Sequence, residues 1–105
     1  MSNVTSTFRG TAVLDPPTSP KIYNVAVALA NTEVSQALTA STKFFLIRAR
    51  GRSKIKLAFV SGESGTKYIT VSPGCVYTQD GVSFTGTLYF QTSLASETIE
   101  VLEWT

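Results

Sequence analysis

The chain has 105 residues, of which 43% are hydrophobic and 15% charged, and nine Lys and Arg against seven Asp and Glu give a net charge of +2. This length holds one hydrophobic core and predicts one domain over residues 1–105. The sequence has no His and a single Cys, Cys75, which excludes Ser-His and Cys-His catalytic pairs, zinc sites rich in His or Cys, and an intrachain disulfide.

The composition therefore indicates a protein that is not an enzyme and that holds no cofactor or metal. Residues 1–10 lack the charged start and apolar run of a secretory signal, and the longest mainly apolar stretch, residues 25–30, is too short to span a membrane. We expect a soluble protein without a membrane partner, kept in a reducing compartment. A net charge of +2 does not require a nucleic-acid partner.

Short runs of β-branched and aromatic residues, broken by Gly, Pro, Ser and Asp, predict an all-β protein. A polar N-terminal arm, about residues 1–7, is expected to become ordered on a partner. A first strand is predicted over residues 5–14 and ends before three prolines within residues 16–20. The next strand, residues 22–30, has its large apolar side chains on one face: Tyr23, Val25, Val27 and Leu29.

Residues 31–40 are predicted to form a loop with a short extended piece. Strands at residues 43–50 and 54–60 follow, and the short Gly-Arg-Ser segment between them predicts a hairpin. The second of these strands alternates with a period of two, with Ile55, Leu57 and Phe59 on one face.

The remaining strands are separated by short turn signals. One strand, residues 67–71, is interrupted at Ser-Pro-Gly and resumes at residues 75–78, before a turn at residues 79–81. Residues 86–92 and 97–104 are predicted to form the last hairpin. The total is about eight strands at spacings of about 8–12 residues, which predicts an antiparallel β-sandwich or barrel.

Basic residues are concentrated in the middle of the chain. Six of the nine lie within residues 43–56: Lys43, Arg48, Arg50, Arg52, Lys54 and Lys56. Two interpretations stay open, a surface that binds an acidic partner and a solvated hairpin whose charges prevent aggregation of sheet edges.

Three acidic residues, Glu97, Glu100 and Glu103, lie on the predicted last hairpin. They could pair with the basic segment of a neighbouring copy, in a head-to-tail or cyclic contact, or with the basic segment of the same chain. The sequence leaves both arrangements open.

Aromatic residues are frequent in the second half of the chain. An exposed row drawn from Tyr68, Tyr77 and Tyr89 would form a sugar-stacking platform, whereas aromatics in the core or at a subunit interface are the alternative. Trp104, the penultimate residue, predicts a C-terminal strand that is docked on the sheet. Cys75 is expected to be a small buried hydrophobic residue.

The second half of the sequence resembles a known group of proteins. The resemblance lies in residues 43–59, the Tyr-Ile-Thr-Val-Ser-Pro-Gly run at 68–74, the Thr-Leu-Tyr-Phe-Gln run at 87–91 and the closing Ile-Glu-Val-Leu-Glu-Trp strand at 99–104. These segments resemble small virion structural proteins of tailed bacteriophages, including jelly-roll head decoration (cement) proteins. The resemblance implies a jelly-roll-like β-sandwich, assembled as a homotrimer.

The same resemblance implies a structural function. The protein would be made in the host cytoplasm and would bind the major capsid protein, or another virion protein, on the head surface through multivalent non-covalent contacts. A tail or baseplate component and a carbohydrate-binding module for host attachment are the alternatives. The predicted contact residues lie in the N-terminal arm and in the basic segment: Ser2, Asn3, Arg9, Arg48, Arg50, Arg52, Lys54 and Lys56.

Overall fold

The computed structural model describes residues 19–105. The predicted arm, the predicted first strand and the contact residues Ser2, Asn3 and Arg9 lie outside this part of the chain. Within it, the chain forms eight β-strands and no helix. The strands are β1 (Pro20–Val27), β2 (Val34–Ala37), β3 (Thr42–Ala49), β4 (Ile55–Ala58), β5 (Ile69–Val71), β6 (Val76–Phe84), β7 (Thr87–Thr92) and β8 (Glu97–Trp104).

The strands form two four-stranded sheets. The first sheet has the order β1-β8-β3-β6 and the second the order β2-β7-β4-β5, and every pairing is antiparallel. Strand β1 pairs with β8, β2 with β7, β3 with β6 and β4 with β5. The prediction of an all-β antiparallel sandwich of about eight strands is confirmed.

Two of the predicted hairpins are wrong. Strands β3 and β4 lie in different sheets, as do β7 and β8, so the segments that join them cross between the layers. The local signals locate these strands and the short segments between them, but they do not determine how the strands pair. Period-two alternation is the same whether a strand pairs with its neighbour in sequence or lies in the other sheet.

The region after β5 also differs from the prediction. Strand β5 belongs to the second sheet and β6 to the first, so the Ser-Pro-Gly segment joins two sheets and does not interrupt one strand. The amide of Cys75 donates to the carbonyl of Ser72 at 3.0 Å, and Gly74 has a φ of 81°, as a type II turn requires. Strand β6 then continues through the predicted turn at residues 79–81.

The core lies between the two sheets and is built from alternate residues of the strands. Its fully buried members include Phe45 and Ile47 on β3, Leu88 and Phe90 on β7, and Ile99 on β8. The apolar face predicted for the strand at residues 22–30 is formed by Tyr23, Val25 and Val27. Leu29 lies beyond the end of β1 and is 65% exposed, so its predicted place on that face is wrong.

Candidate protein-contact site

The outward side of the first sheet, here called the outer face, carries apolar side chains where a sandwich normally presents polar ones. Cross-strand register places directly opposed residues on the same face. Two rows on the outer face are mainly apolar. They are Pro20–Trp104–Phe44 and, next to it, Ile22–Leu102–Leu46, and on β6 the register adds Asp80 to the first row and Thr78 to the second.

The exposure of these side chains fits an interaction surface. Ile22 is 67% exposed, and Phe44, Leu46, Leu102 and Trp104 are each only half-buried. Because these residues lie in adjacent rows, they form a contiguous apolar patch. Single exposed hydrophobic residues are common on protein surfaces, whereas contiguous patches mark interaction sites.

A shallow groove of about 230 Å³ runs along β8 on this face. Ile22 and Asn24 of β1 form one wall and Leu46 and Arg48 of β3 the other, while β8 forms the floor. One end of the groove is therefore apolar, and the other end carries charged and polar groups.

The polar end, here called the charged end, is lined by Asn24, Arg48 and Glu100, and Arg50 contacts two of these residues from outside the groove. Glu100 accepts a hydrogen bond from Arg50 Nε at 2.8 Å through one carboxylate oxygen and forms an ion pair with Arg48 Nε at 3.1 Å through the other. Arg50 Nη2 also donates to Asn24 Oδ1 at 3.3 Å. Two guanidinium groups on one carboxylate leave a net positive charge at this end of the groove.

The outer side of the second sheet is different in both composition and cover. It carries Ser35, Thr87, Lys56 and Gln91, by alternation with the buried residues of the same strands. The loop after β4 folds over this side, since Ser64 Oγ accepts from Gln91 Nε2 at 3.2 Å and Gln91 is buried.

The loop over the second sheet is fixed by a carboxylate. Glu33 accepts from the amide of Gly62 at 2.8 Å and from the hydroxyl of Ser64 at 2.6 Å. These hydrogen bonds, that from the Ser64 hydroxyl first, hold the pKa of Glu33 below its ordinary value. Among residues 19–105 no comparable loop covers the outer face of the first sheet, where its apolar residues stay exposed or half-buried.

The predicted basic contact residues do not form one surface. Arg48 and Arg50 lie on the outer face of the first sheet, Arg52 and Lys54 in the exposed connection between β3 and β4, and Lys56 on the second sheet. Lys56 Nζ lies 5.0 Å from the centroid of the Tyr68 ring. The crossing between the sheets divides the charges that the predicted hairpin would have kept together.

The acidic residues of β8 pair within the chain. Glu100 holds Arg48 and Arg50, whereas Glu97 and Glu103 are buried on the inward side of the strand. The ion pairs of Glu100 are contacts within one chain, and the contact between copies stays a prediction.

Glu97 fixes the connection between β3 and β4. It accepts from the amides of Gly51 at 3.1 Å, Ser53 at 3.0 Å and Thr98 at 3.1 Å. Burial raises the pKa of Glu97, but these hydrogen bonds, with that from Ser53 first, outweigh burial and hold the pKa below its ordinary value.

Glu103 fixes the connection between β2 and β3 in the same way. It is 1% exposed and accepts from the amide of Thr39 at 3.0 Å and the hydroxyl of Tyr23 at 3.1 Å. Burial raises the pKa of Glu103. The hydrogen bonds from Thr39 and Tyr23 and the charge of nearby Lys21 lower the pKa by more than burial raises it, so it lies below its ordinary value.

The three tyrosines considered for a sugar platform do not all lie on one surface. Tyr77 packs inward against Phe45, with ring centroids 6.0 Å apart. Tyr89 points to the outer side of the second sheet, since its neighbours Leu88 and Phe90 are fully buried. The ring of Tyr68 lies next to Lys56.

Cys75 is an exposed free thiol, so the prediction of a buried residue is wrong. The type II turn that contains it connects β5 to β6, and all four of its residues, 72–75, are exposed. Residues 19–105 contain no cluster of three or more His, Cys, Asp or Glu that could hold a metal ion. The same residues include no helix with the length and apolarity needed to cross a membrane.

The sequence pattern places Phe44 and Leu46 on the same strand face as Arg48 and Arg50, but it does not predict that Ile22, Leu102 and Trp104 of other strands lie beside them. The signal was present in β8, whose even-numbered positions include Leu102 and Trp104 and whose odd-numbered positions include Glu97 and Glu103. Neither face of this strand is purely apolar, so alternation alone does not decide which face points inward. Compared with known proteins, the chain matches no family model, no curated protein and no solved structure.

Proposed function

We propose that the protein is a structural component of a tailed-bacteriophage virion, a head decoration protein that binds the assembled shell through the outer face of its first sheet. The observation that carries the proposal is the apolar patch beside a net positive charge, exposed on a β-sandwich. Apolar patches rimmed by polar groups are typical of protein interfaces.

The strand pairing supports the fold part of the proposal. Of the eight strands described in residues 19–105, the first pairs with the last, the second with the seventh, the third with the sixth and the fourth with the fifth. This antiparallel pairing is typical of a jelly roll. Jelly rolls are common in viral capsid domains, although they also occur in lectins and cupins. The resemblance of residues 43–104 to phage virion proteins favours the first of these uses.

The mechanism we propose is stabilisation by binding. A protein that binds the assembled shell, and not its dissociated subunits, shifts the assembly equilibrium by mass action. Each contact then contributes only a small free energy, because many copies act on the same shell. The homotrimer that the resemblance implies would be seen as a mass of three times 11.3 kDa by light scattering.

The test is the location of the chain in particles purified from its source. We expect the chain in gradient-purified particles at a copy number comparable to that of the shell protein, with gold-labelled antibody over the head. Particles made without the chain should release their DNA at a lower temperature. Absence of the chain from purified particles would refute the proposal, and label over the tail would replace it with the tail or baseplate alternative.

A further inference from the structure

We propose that the groove on the outer face binds an extended segment of the partner protein in which a large aliphatic side chain lies two residues away from an aspartate or glutamate. This inference deepens the proposed function and rests on it only for the partner being a protein. It follows from the shape of the groove, the position of its charges and the repeat of a β-strand.

The apolar end of the groove determines the first requirement. Ile22 and Leu46 stand on opposite sides of Leu102, which lies between them in the same row. Ile22 is 67% exposed, so the partner side chain that covers it removes apolar surface that the free protein leaves in water. An aliphatic side chain fits this setting because all three residues that surround it are aliphatic.

The charged end determines the second requirement. Arg48 Nε forms an ion pair with Glu100 at 3.1 Å and Arg50 Nε donates to it at 2.8 Å, and one terminal nitrogen of Arg50 donates to Asn24. The terminal nitrogens of Arg48 have no hydrogen-bond partner among residues 19–105, and the Arg48 side chain is 50% exposed. A guanidinium held in place through Nε presents its terminal nitrogens to a carboxylate. Glu100 is thus a positioning residue for this binding site.

The spacing follows from β-strand geometry. Leu102 and Glu100 are two residues apart on β8, and the groove runs along this strand. Two residues of extended chain cover about 7 Å. A partner segment that lies extended in the groove therefore has the same repeat, and its side chains two residues apart reach the apolar end and the charged end together.

A second copy of the protein fits this face less well. In a two-fold contact between outer faces, the same patch is used on both copies, so each copy brings the net positive charge of Arg48, Arg50 and Glu100 to the interface. The partner that complements this charge has a carboxylate. Residues 1–18 contain one such pattern, Val13 and Asp15, and this segment is therefore a competing occupant that the experiment must separate.

The experiment uses the full chain, labelled with ¹⁵N and titrated with blocked nine-residue peptides of Ser and Gly that contain Leu-Ser-Asp or, for the opposite chain direction, Asp-Ser-Leu. We expect at least one of them to shift the amide resonances of Ile22, Leu46, Arg48, Glu100 and Leu102. A peptide with Asn in place of Asp should bind about fivefold more weakly. A peptide in which Leu and Asp are adjacent tests the spacing and should bind more weakly by about the same factor.

Matched variants test the two ends of the groove. Ile22→Ser should weaken binding about fivefold, whereas Leu29→Ser, at a site of nearly equal exposure (65% against 67%), should leave it unchanged. Arg48→Gln should abolish the preference for Asp over Asn. Glu100→Gln should reduce that preference although it makes the protein more positive, which is the signature of a positioning role. Both serine variants replace exposed residues and are expected to fold.

Four results would overturn the inference. The first two are equal binding of the Asp and Asn peptides and resonance shifts confined to other parts of the chain. The third is tighter peptide binding after Asp15→Asn, which would show that the chain's own segment occupies the groove. The fourth is a lower mass in light scattering after Ile22→Ser, which would show that a second copy occupies it. These outcomes are independent of where the protein lies in the virion, so the inference and the proposed function can fail separately.

Discussion

Gly51 gives the sharpest test of how the loops are held. A Cβ at this position would lie 2.8 Å from Glu97 Oε1 and 2.9 Å from Oε2, whereas ordinary contacts begin at 3.4 Å, so in Gly51→Ala the carboxylate must retreat by about 0.6 Å. That movement weakens its hydrogen bonds to the amides of Gly51 and Ser53. Hydrogen bonds to charged groups contribute about 1.5–3 kcal/mol each, so we expect Gly51→Ala to lower the free energy of unfolding by about 2–4 kcal/mol.

The sign of the effect should depend on Glu97. Gly51 does not have a positive φ, so its backbone suits alanine once the carboxylate is gone. In a Glu97→Ala background, Gly51→Ala should therefore be neutral or stabilise the protein by up to about 1 kcal/mol, because alanine restricts the unfolded chain.

Urea unfolding of the wild type, both single variants and the double variant measures this coupling, and Trp104, the only tryptophan, supplies the fluorescence signal. We expect an interaction energy of about 1–3 kcal/mol between the two sites. An equal cost of Gly51→Ala with and without Glu97 would refute the view that the glycine is required by the carboxylate.

Three further predictions concern single features. Because the folded protein lowers the pKa of Glu33, Glu97 and Glu103, the unfolded chain takes up protons first on acidification. The urea concentration at the unfolding midpoint should thus be constant from about pH 7 to about pH 5.5 and should decrease at pH values under about 4.5. In Glu103→Gln this decrease should be less steep. Gly74→Ala should lower the free energy of unfolding by about 1–2 kcal/mol, since its φ of 81° places a Cβ in the left-handed region; an unchanged urea midpoint would contradict this. Cys75 is exposed and should react with one equivalent of Ellman's reagent in the folded protein, at a rate close to that in urea; a reaction that requires unfolding would contradict it.

The strands could be predicted from the sequence because their signals are local. Residues 97–104 were predicted as a strand and form β8 with those bounds. Pairing could not be predicted, because the choice between a hairpin and a crossing depends on residues far away in sequence. Glu97, for example, accepts from the amide of Ser53, 44 residues away, and nothing near Gly51 in the sequence shows that the connection will be held from β8.

The candidate site was predictable in part for the same reason. The arginines were visible as a cluster of charge, but the apolar patch consists of single residues contributed by three strands. Ile22, Leu46 and Leu102 become neighbours only when β1, β8 and β3 align in register. Each of them taken singly is an ordinary strand residue.

The positions of the carboxylates explain why the apolar side chains of this face are exposed. Of the six carboxylates in residues 19–105, Glu33, Glu97 and Glu103 fix connections between strands, and Glu100 holds two arginines. Strand β8 supplies two of the three structural glutamates from its inward side, and this orientation turns Leu102 and Trp104 outward. The orientation of β8 that stabilises the loops therefore also exposes the apolar patch. The partner segment that we propose would cover this patch and supply Arg48 with a carboxylate, a group that the described residues use mainly to fix connections between strands.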